Sequence, residues 1–370
     1  APTGRNATGM FLDRYCGAWH FRPLHRPGQG GTRVWPHTLS RREDMRRYKA
    51  MMVVLLALVF LASSAMAQTK EEGPWWPHPI WGAGDQAGGS NWITPEKIMD
   101  SLRMVTTGKV YEIGQVYERG MPLFGQRTFA MFANQAGPFG DNMLMGHDDF
   151  LCAEIGQVGT QFDGPSHIGM RMTMADGSTR DVYYNGFTEE DDLRGFYGVE
   201  SLGIEHVKAY ITRGVLVDVA GYKGVDTLDH SYEVTMDDVR GALARQGISE
   251  ASISDGDALF FNYGWSKLWK DPDTYNTNPP GIGMEVAAWI VEQNASMVGA
   301  DSWPTEVWPS PTGLVVPVHQ ELITKAGIFN LENMVFDSVI ADGVYEFLYI
   351  FTPIRFKGGT GSPARPLAIR

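Results

Sequence analysis

Asp163 and His167 stand four residues apart in the run Gln157-Val158-Gly159-Thr160-Gln161-Phe162-Asp163-Gly164-Pro165-Ser166-His167. Asp163-Gly164-Pro165 is turn chemistry: Asp can bond its own backbone, Gly accepts a positive φ and Pro presets the next one. A turn that rigid can hold a carboxylate and an imidazole around one cavity, where such a pair binds a metal and moves a proton. The plainer reading is a polar turn. Gln157 and Gln161 alternate into the same region, and their amide carbonyls can coordinate an ion or position a substrate. A second run pairs His319, at the start of a helix that Gly327 should end, with Glu332 in the extended segment that follows, 13 positions on. A helix with a sharp return can bring the two together; the bland alternatives are a packing or capping histidine and a solvated glutamate. Phe162, Trp303 and Trp308 neighbour these residues in sequence and suit either an aromatic substrate wall or the core. His147-Asp148-Asp149 offers another ligand, or else is a charged loop or strand edge.

The elements that must position these groups are mixed. Thr94-Pro95-Glu96 has an N-cap, a proline at the first helical position and an acid in the first turn, so a helix should run to about Thr106. Thr235-Met236-Asp237-Asp238 should cap a helix reaching Gln246 and stopped by Gly247. Residues 284–294 and 317–326 read as two more helices. Residues 214–219 and 258–261 are short, apolar and bounded by Gly or Asp, as buried strands are. Strands mixed with helices point to an α/β or α+β domain. Trp75-Trp76-Pro77-His78-Pro79-Ile80-Trp81 makes an aromatic arm suited to packing across the domain or to a subunit interface.

The chain has 370 residues, 43% of them hydrophobic, which is enough for a real core and excludes a wholly disordered chain. Residues 1–44 are rich in Arg, Gly and Pro without apolar periodicity and read as an upstream or disordered extension. Residues 45–67 combine a cationic head, an apolar run of about a dozen residues and Ala65-x-Ala67, which makes a secretory signal with cleavage before Gln68. The run falls short of the ~20 residues that a spanning helix needs, so no stable membrane insertion is expected after its removal. Residues 1–67 hold ten basic and three acidic side chains; residues 68–370 keep 21 basic and 40 acidic, a net of −19. Such an acidic surface argues against nucleic acid. The expected product is one exported domain over residues 68–370, periplasmic or secreted. Its single cysteine, Cys152, reads as a small buried hydrophobe.

Spread over about residues 82–370, these runs resemble the cyclase family of metal-dependent hydrolases, which includes bacterial kynurenine formamidases and isatin hydrolases. That family carries His-x-Gly-Thr-His-x-Asp-x-Pro-x-His, and Gly159, Thr160, Asp163, Pro165 and His167 stand at its spacing. Gly84-Asp85-Gln86-Ala87-Gly88, Tyr184-Asn185-Gly186, Gly299-Ala300-Asp301-Ser302 and the closing Gly359-Thr360-Gly361-Ser362-Pro363 are similar too. The resemblance implies a swivelling β/β/α fold, a β-rich core flanked by helices, in a dimer or tetramer. It implies that Asp163, His319 and Glu332 are metal ligands and that His167 transfers protons. Gln157 and Gln161 stand where metal-binding members have histidines. Two amides in place of two imidazoles weaken a zinc site, so the remaining oxygen-rich set favours Mn²⁺ over Zn²⁺. The implied reaction is hydrolysis of a C–N amide bond in a small aromatic or cyclic substrate: a formamide, a lactam or a cyclic imide. In it the ion activates water and His167 carries the proton to the leaving nitrogen. The alternative is an exported binding protein that kept the fold and lost the metal.

Overall fold

Alternation of apolar side chains along short runs builds the centre of the molecule. The computed structural model describes residues 73–370; the extension and the secretory signal expected over residues 1–67 lie outside the described residues. In chain order the strands are β1 Val110–Glu112, β2 Phe129–Phe139, β3 Leu144–Ala153, β4 Gln161–Asp163, β5 Met170–Thr173, β6 Thr179–Val182, β7 Tyr210–Asp218 and β8 Glu233–Val234. They continue with β9 Ala258–Asn262, β10 Gly281–Ile282, β11 Met297–Ala300, β12 Phe329–Glu332, β13 Glu346–Phe351, β14 Gly361–Pro363 and β15 Leu367–Ile369. Nine of them form one sheet in the order β1-β15-β13-β7-β9-β11-β12-β4-β14. The middle block β7-β9-β11-β12 is parallel and its flanks are antiparallel.

The two faces of this sheet have separate jobs. On β7, Val215 and Val217 point into one core with the helices Met236–Gln246 and Met284–Glu292. Leu216 points the other way, to a second core that holds Phe162, Phe260, Phe329 and Phe347. This is the period-2 geometry of a strand buried on both faces. Phe162 on β4 reaches Phe351 on β13, ring centroids 5.2 Å apart, although the two strands are five places apart in the sheet order. The sheet is therefore curled, a half-barrel with helices on its convex side. The β-rich core flanked by helices matches the architecture expected from the sequence.

Local signals were read closely by the chain. Thr94 accepts from the Lys97 N–H to open Pro95–Ser101, which continues into a short 3₁₀ turn, Leu102–Met104. Thr235 and Asp238 close a full capping box, and Gly247 ends the helix at φ 74°. The helix expected over 317–326 is a single α-turn, Pro317–His319, that widens into a π-helix, Gln320–Lys325. Trp76 of the aromatic arm is buried against Gly186, where a Cβ would lie 2.4 Å from the indole, and Trp81 meets Trp92 edge-on at 4.9 Å. The arm packs across the domain, and beneath it lies a cavity of about 730 Å³ lined in part by Trp92 and Lys325.

Cys152 corrects the sequence reading. It lies exposed on β3, in a hairpin with β2 that touches the first core only at its base, through Phe129 and Ala153. No described helix is long and apolar enough to cross a membrane.

Candidate metal centre

The register of one strand pair assembles the centre. On antiparallel β4 and β12, Asp163 is opposite Asn330, Phe162 opposite Leu331 and Gln161 opposite Glu332. Alternation sends Phe162 and Leu331 into the core and leaves Asp163, Gln161, Glu332 and Asn330 together on the other face. Gln161 Nε2 donates to Glu332 Oε2 at 2.8 Å, and Asn330 Nδ2 donates to Glu332 Oε1 at 2.9 Å and to Asp163 Oδ2 at 3.4 Å. All four are buried.

His319 enters this cluster from the turn Pro317–His319. Its Nε2 lies 3.2 Å from Glu332 Oε1 and 3.6 Å from Asp163 Oδ2. Glu306 holds the other side of the ring: its Oε1 is 2.5 Å from His319 Nδ1 and accepts the His319 backbone N–H at 3.0 Å, while its Oε2 accepts the Val318 N–H at 3.1 Å. A carboxylate on Nδ1 fixes the tautomer and turns Nε2 toward the acids, as carboxylate partners of metal-bound histidines do. Left-handed residues punctuate the segments that deliver these groups: Gly159 (φ 62°), Thr305 (φ 56°), Val316 (φ 41°) and Asn333 (φ 58°). Val316 is β-branched, so this conformation costs it on the order of 1–2 kcal/mol. It is the residue from which the His319 turn starts.

Around this core lie Gln157, Arg127 and His167. Gln157 donates through Nε2 to Asp163 Oδ1 at 3.0 Å and accepts from Arg127 Nη2 at 3.1 Å. His167 Nε2 is 3.7 Å from Asp163 Oδ1 on the more exposed rim. Burial pulls His167 below its ordinary value of 6.5, with Asp163 opposing, so the ring is neutral at pH 7 and free to accept a proton. Burial pushes Glu332 up to about 7, and the charge of Asp163 pushes the same way. Burial also acts to raise Asp163, but His167, His319 and the Gln157 amide together hold it below the ordinary carboxylate value. For His319 burial opposes the charged form, and Asp163, Glu306 and Glu332 outweigh it, raising the ring well above 6.5.

This donor set fits a divalent cation. One ligand atom each from Asp163, His319 and Glu332 lie within 4.8 Å of one another, all buried. Asn330 Nδ2 is also 3.3 Å from His319 Nε2. The buried oxygens Gln161 Oε1 and Asn330 Oδ1 have no hydrogen-bond partner. Orphaned acceptors beside a cluster of acids are what an ion in the cluster would satisfy. Gln157 presents a donor to Asp163 and has its oxygen engaged by Arg127, so as placed it supports the centre and offers no ligand atom to it.

The aromatic wall needs one correction and one addition. Phe162 is fully buried and packs against Tyr210, Phe329 and Phe351, so it belongs to the core and faces no substrate. Trp303 does flank the centre. Together with Arg127, Gln157, Gln161 and Phe124 it lines a small cavity, and Phe124 stacks on it at 3.9 Å and 16°. Trp308 stands behind, 6.0 Å from Trp303. His147 is exposed on β3 opposite Gln135 and makes no bond to the centre. Sequence reasoning missed Glu306, Asn330, Arg127 and Phe124. Asn330 was legible, two residues from Glu332 in a strand and hence on the same face. Glu306, an acid set among Trp303, Val307 and Trp308, carried a weaker signal.

The centre thus sits in a curled α+β domain, two buried acids on one strand pair meeting an imidazole from a neighbouring helical turn. The Cyclase family model, described as "Putative cyclase", matches residues 111–307. A solved structure described as a novel cyclase superposes with a TM-score of 0.68 at 30% identity, over 78% of this chain and 98% of that one. The chain belongs to this cyclase family. Isatin hydrolase A from Labrenzia aggregata, bound to benzyl benzoate, matches at a TM-score of 0.50 and 20% identity, over 70% of this chain and 93% of that one. An isatin hydrolase bound to the product analogue thioisatinate matches at 0.50 and 17%, over 75% and 98% of the two chains. These two likenesses are of fold. The comparison with curated proteins gives no match.

Proposed function

We propose that the chain is a metal-dependent hydrolase that cleaves a C–N amide bond in a small aromatic or cyclic substrate. The observation that carries this reading is the convergence of Asp163, His319 and Glu332 beside a neutral His167. Those three side chains would hold the ion. A bound divalent ion lowers the pKa of a water ligand and polarises a carbonyl. The oxygen-rich set favours Mn²⁺ over Zn²⁺. His167 takes the proton from the attacking water and returns it to the leaving nitrogen, a transfer its position on the rim of Asp163 supports. Arg127 holds Gln157 against Asp163, and the Phe124–Trp303 stack supplies a flat apolar surface suited to an aromatic ring. Isatin, the substrate named in two of the fold relatives, is a compact aromatic lactam of the kind such a surface fits.

The test is elemental analysis of the purified protein after dialysis and after incubation with Mn²⁺, Zn²⁺ or Mg²⁺. The proposal expects about one equivalent retained and lost in Asp163→Ala and His319→Ala, followed by turnover in lactam, formamide and cyclic-imide screens. No retained metal under any of these conditions would count against it. One observation favours a second reading, a non-catalytic binding protein: the Gln157, Gln161 and Asn330 amides already donate to both acids. That reading expects ligand binding without metal and without turnover.

A further inference from the structure

We infer that the cavity beneath the aromatic arm is a second binding site, separate from the metal centre, for an uncharged planar aromatic that carries an amide or lactam edge. The inference stands on the lining of this cavity and does not depend on the hydrolase reading. At about 730 Å³ the cavity falls within the range of roughly 300–1,000 Å³ usual for small-molecule sites. None of its lining residues belongs to the cluster of Asp163, His319 and Glu332. Trp75, Trp81 and Trp92 bring three indoles to the walls, and Ala295 and Ile328 add apolar surface, which together suit a flat ring.

The arm that roofs the cavity is fixed in place. The His78 backbone N–H donates to Asn185 Oδ1 at 2.7 Å, Asn185 Nδ2 donates to the Gly82 carbonyl at 2.8 Å, and His78 Nδ1 accepts the Trp81 N–H at 3.2 Å. A ligand would therefore meet walls already set, which lowers the ordering cost of binding.

The polar groups select the ligand. Trp75 Nε1 is buried and has no hydrogen-bond partner among the described residues. A buried indole N–H ordinarily finds an acceptor, so this one asks for an oxygen that the chain does not supply. Lys325 Nζ lies 6.0 Å from the centroid of the Trp75 ring and 2.6 Å from Glu321 Oε2. The pair sets a donor and an acceptor side by side. Burial holds His78 below its ordinary value of 6.5, so that ring is neutral at pH 7. The lining then carries one positive and one negative charge, Lys325 and Glu321, and no net charge. An anion would meet Glu321 and a cation would meet Lys325, each at a cost. A carbonyl oxygen for the Trp75 and Lys325 donors, next to an N–H for Glu321, matches the set, and an amide edge supplies both. The helix Gln320–Lys325 that presents this pair starts directly after His319, so the two sites share one element.

Calorimetric titration of the full chain with oxindole, a bicyclic aromatic lactam, tests this. The native chain should bind it with a Kd below about 1 mM. Lys325→Met and Trp81→Ala, both outside the cores, should each weaken that binding at least about tenfold with near-UV circular dichroism unchanged elsewhere in the fold, whereas Trp303→Ala beside the metal centre should leave it as it was. Benzoate, an aromatic anion of similar size, should bind at least about tenfold more weakly than oxindole. No saturable heat up to about 1 mM would overturn the site. So would binding that responds to Trp303→Ala and ignores Lys325→Met, and equal affinity for benzoate would overturn the ligand class. If Trp81→Ala does not fold, Lys325→Met, at the end of its helix, is read alone in the same way.

Discussion

His167 and Glu306 separate the chemistry of the centre from its architecture. His167 touches no described core, so His167→Gln should keep the metal and the fold while lowering kcat by about 10²–10⁴, the range for loss of a general base. Measured against pH, turnover should fall on the acid side through a pKa below 6.5, because burial depresses His167 and only the neutral ring accepts a proton. The linkage has the same direction. Between the lowered folded value and 6.5 the unfolded chain binds more protons, so His167 adds stability above 6.5 that is lost as the pH falls through that window. Glu306→Ala removes the acceptor of His319 Nδ1 and of two backbone N–H groups. It should weaken metal binding about 10–100-fold by calorimetry, as loss of such a partner does elsewhere.

Among the elements, the strand pair β4–β12 explains what could be read in advance. Asp163, His319 and Glu332 were singled out by residue type, but their role as a ligand set came only with the family resemblance, while the capped helices and apolar strands followed from local rules. Phe162 was misplaced because adjacency in sequence is opposition in a strand, and the extent of β4 could not be inferred from a run that also reads as a turn. Phe162→Ala should cost about 3–5 kcal/mol in denaturant unfolding, since it opens a hole in a closed core. Trp303→Ala, beside the centre, should instead raise KM for aromatic substrates. Glu306 and Arg127 escaped notice because long-range contacts across loops leave no periodic trace. The π-helix after His319 was likewise hidden, because its sequence scores simply as helix.

At the scale of the whole molecule, the secretory-signal pattern read from residues 45–67 leads us to propose that the working protein is exported. Expression of the full chain in a host with a secretion pathway, followed by N-terminal sequencing of the released protein, should give Gln68 as the first residue. A product that retains residues 45–67 in the cytosol would remove that claim and leave the hydrolase proposal standing.

The register of β4 against β12 has a consequence for how such a centre changes over generations. Positions 161 and 163 face the cluster because Phe162 and Leu331 anchor the ladder from behind, whatever side chains those outward positions carry. Ligand identity at those positions is therefore separable from the scaffold that presents it. Gln161→His should place a second imidazole beside the same carboxylates, raise zinc affinity measured by calorimetry, and leave the β4–β12 scaffold folded.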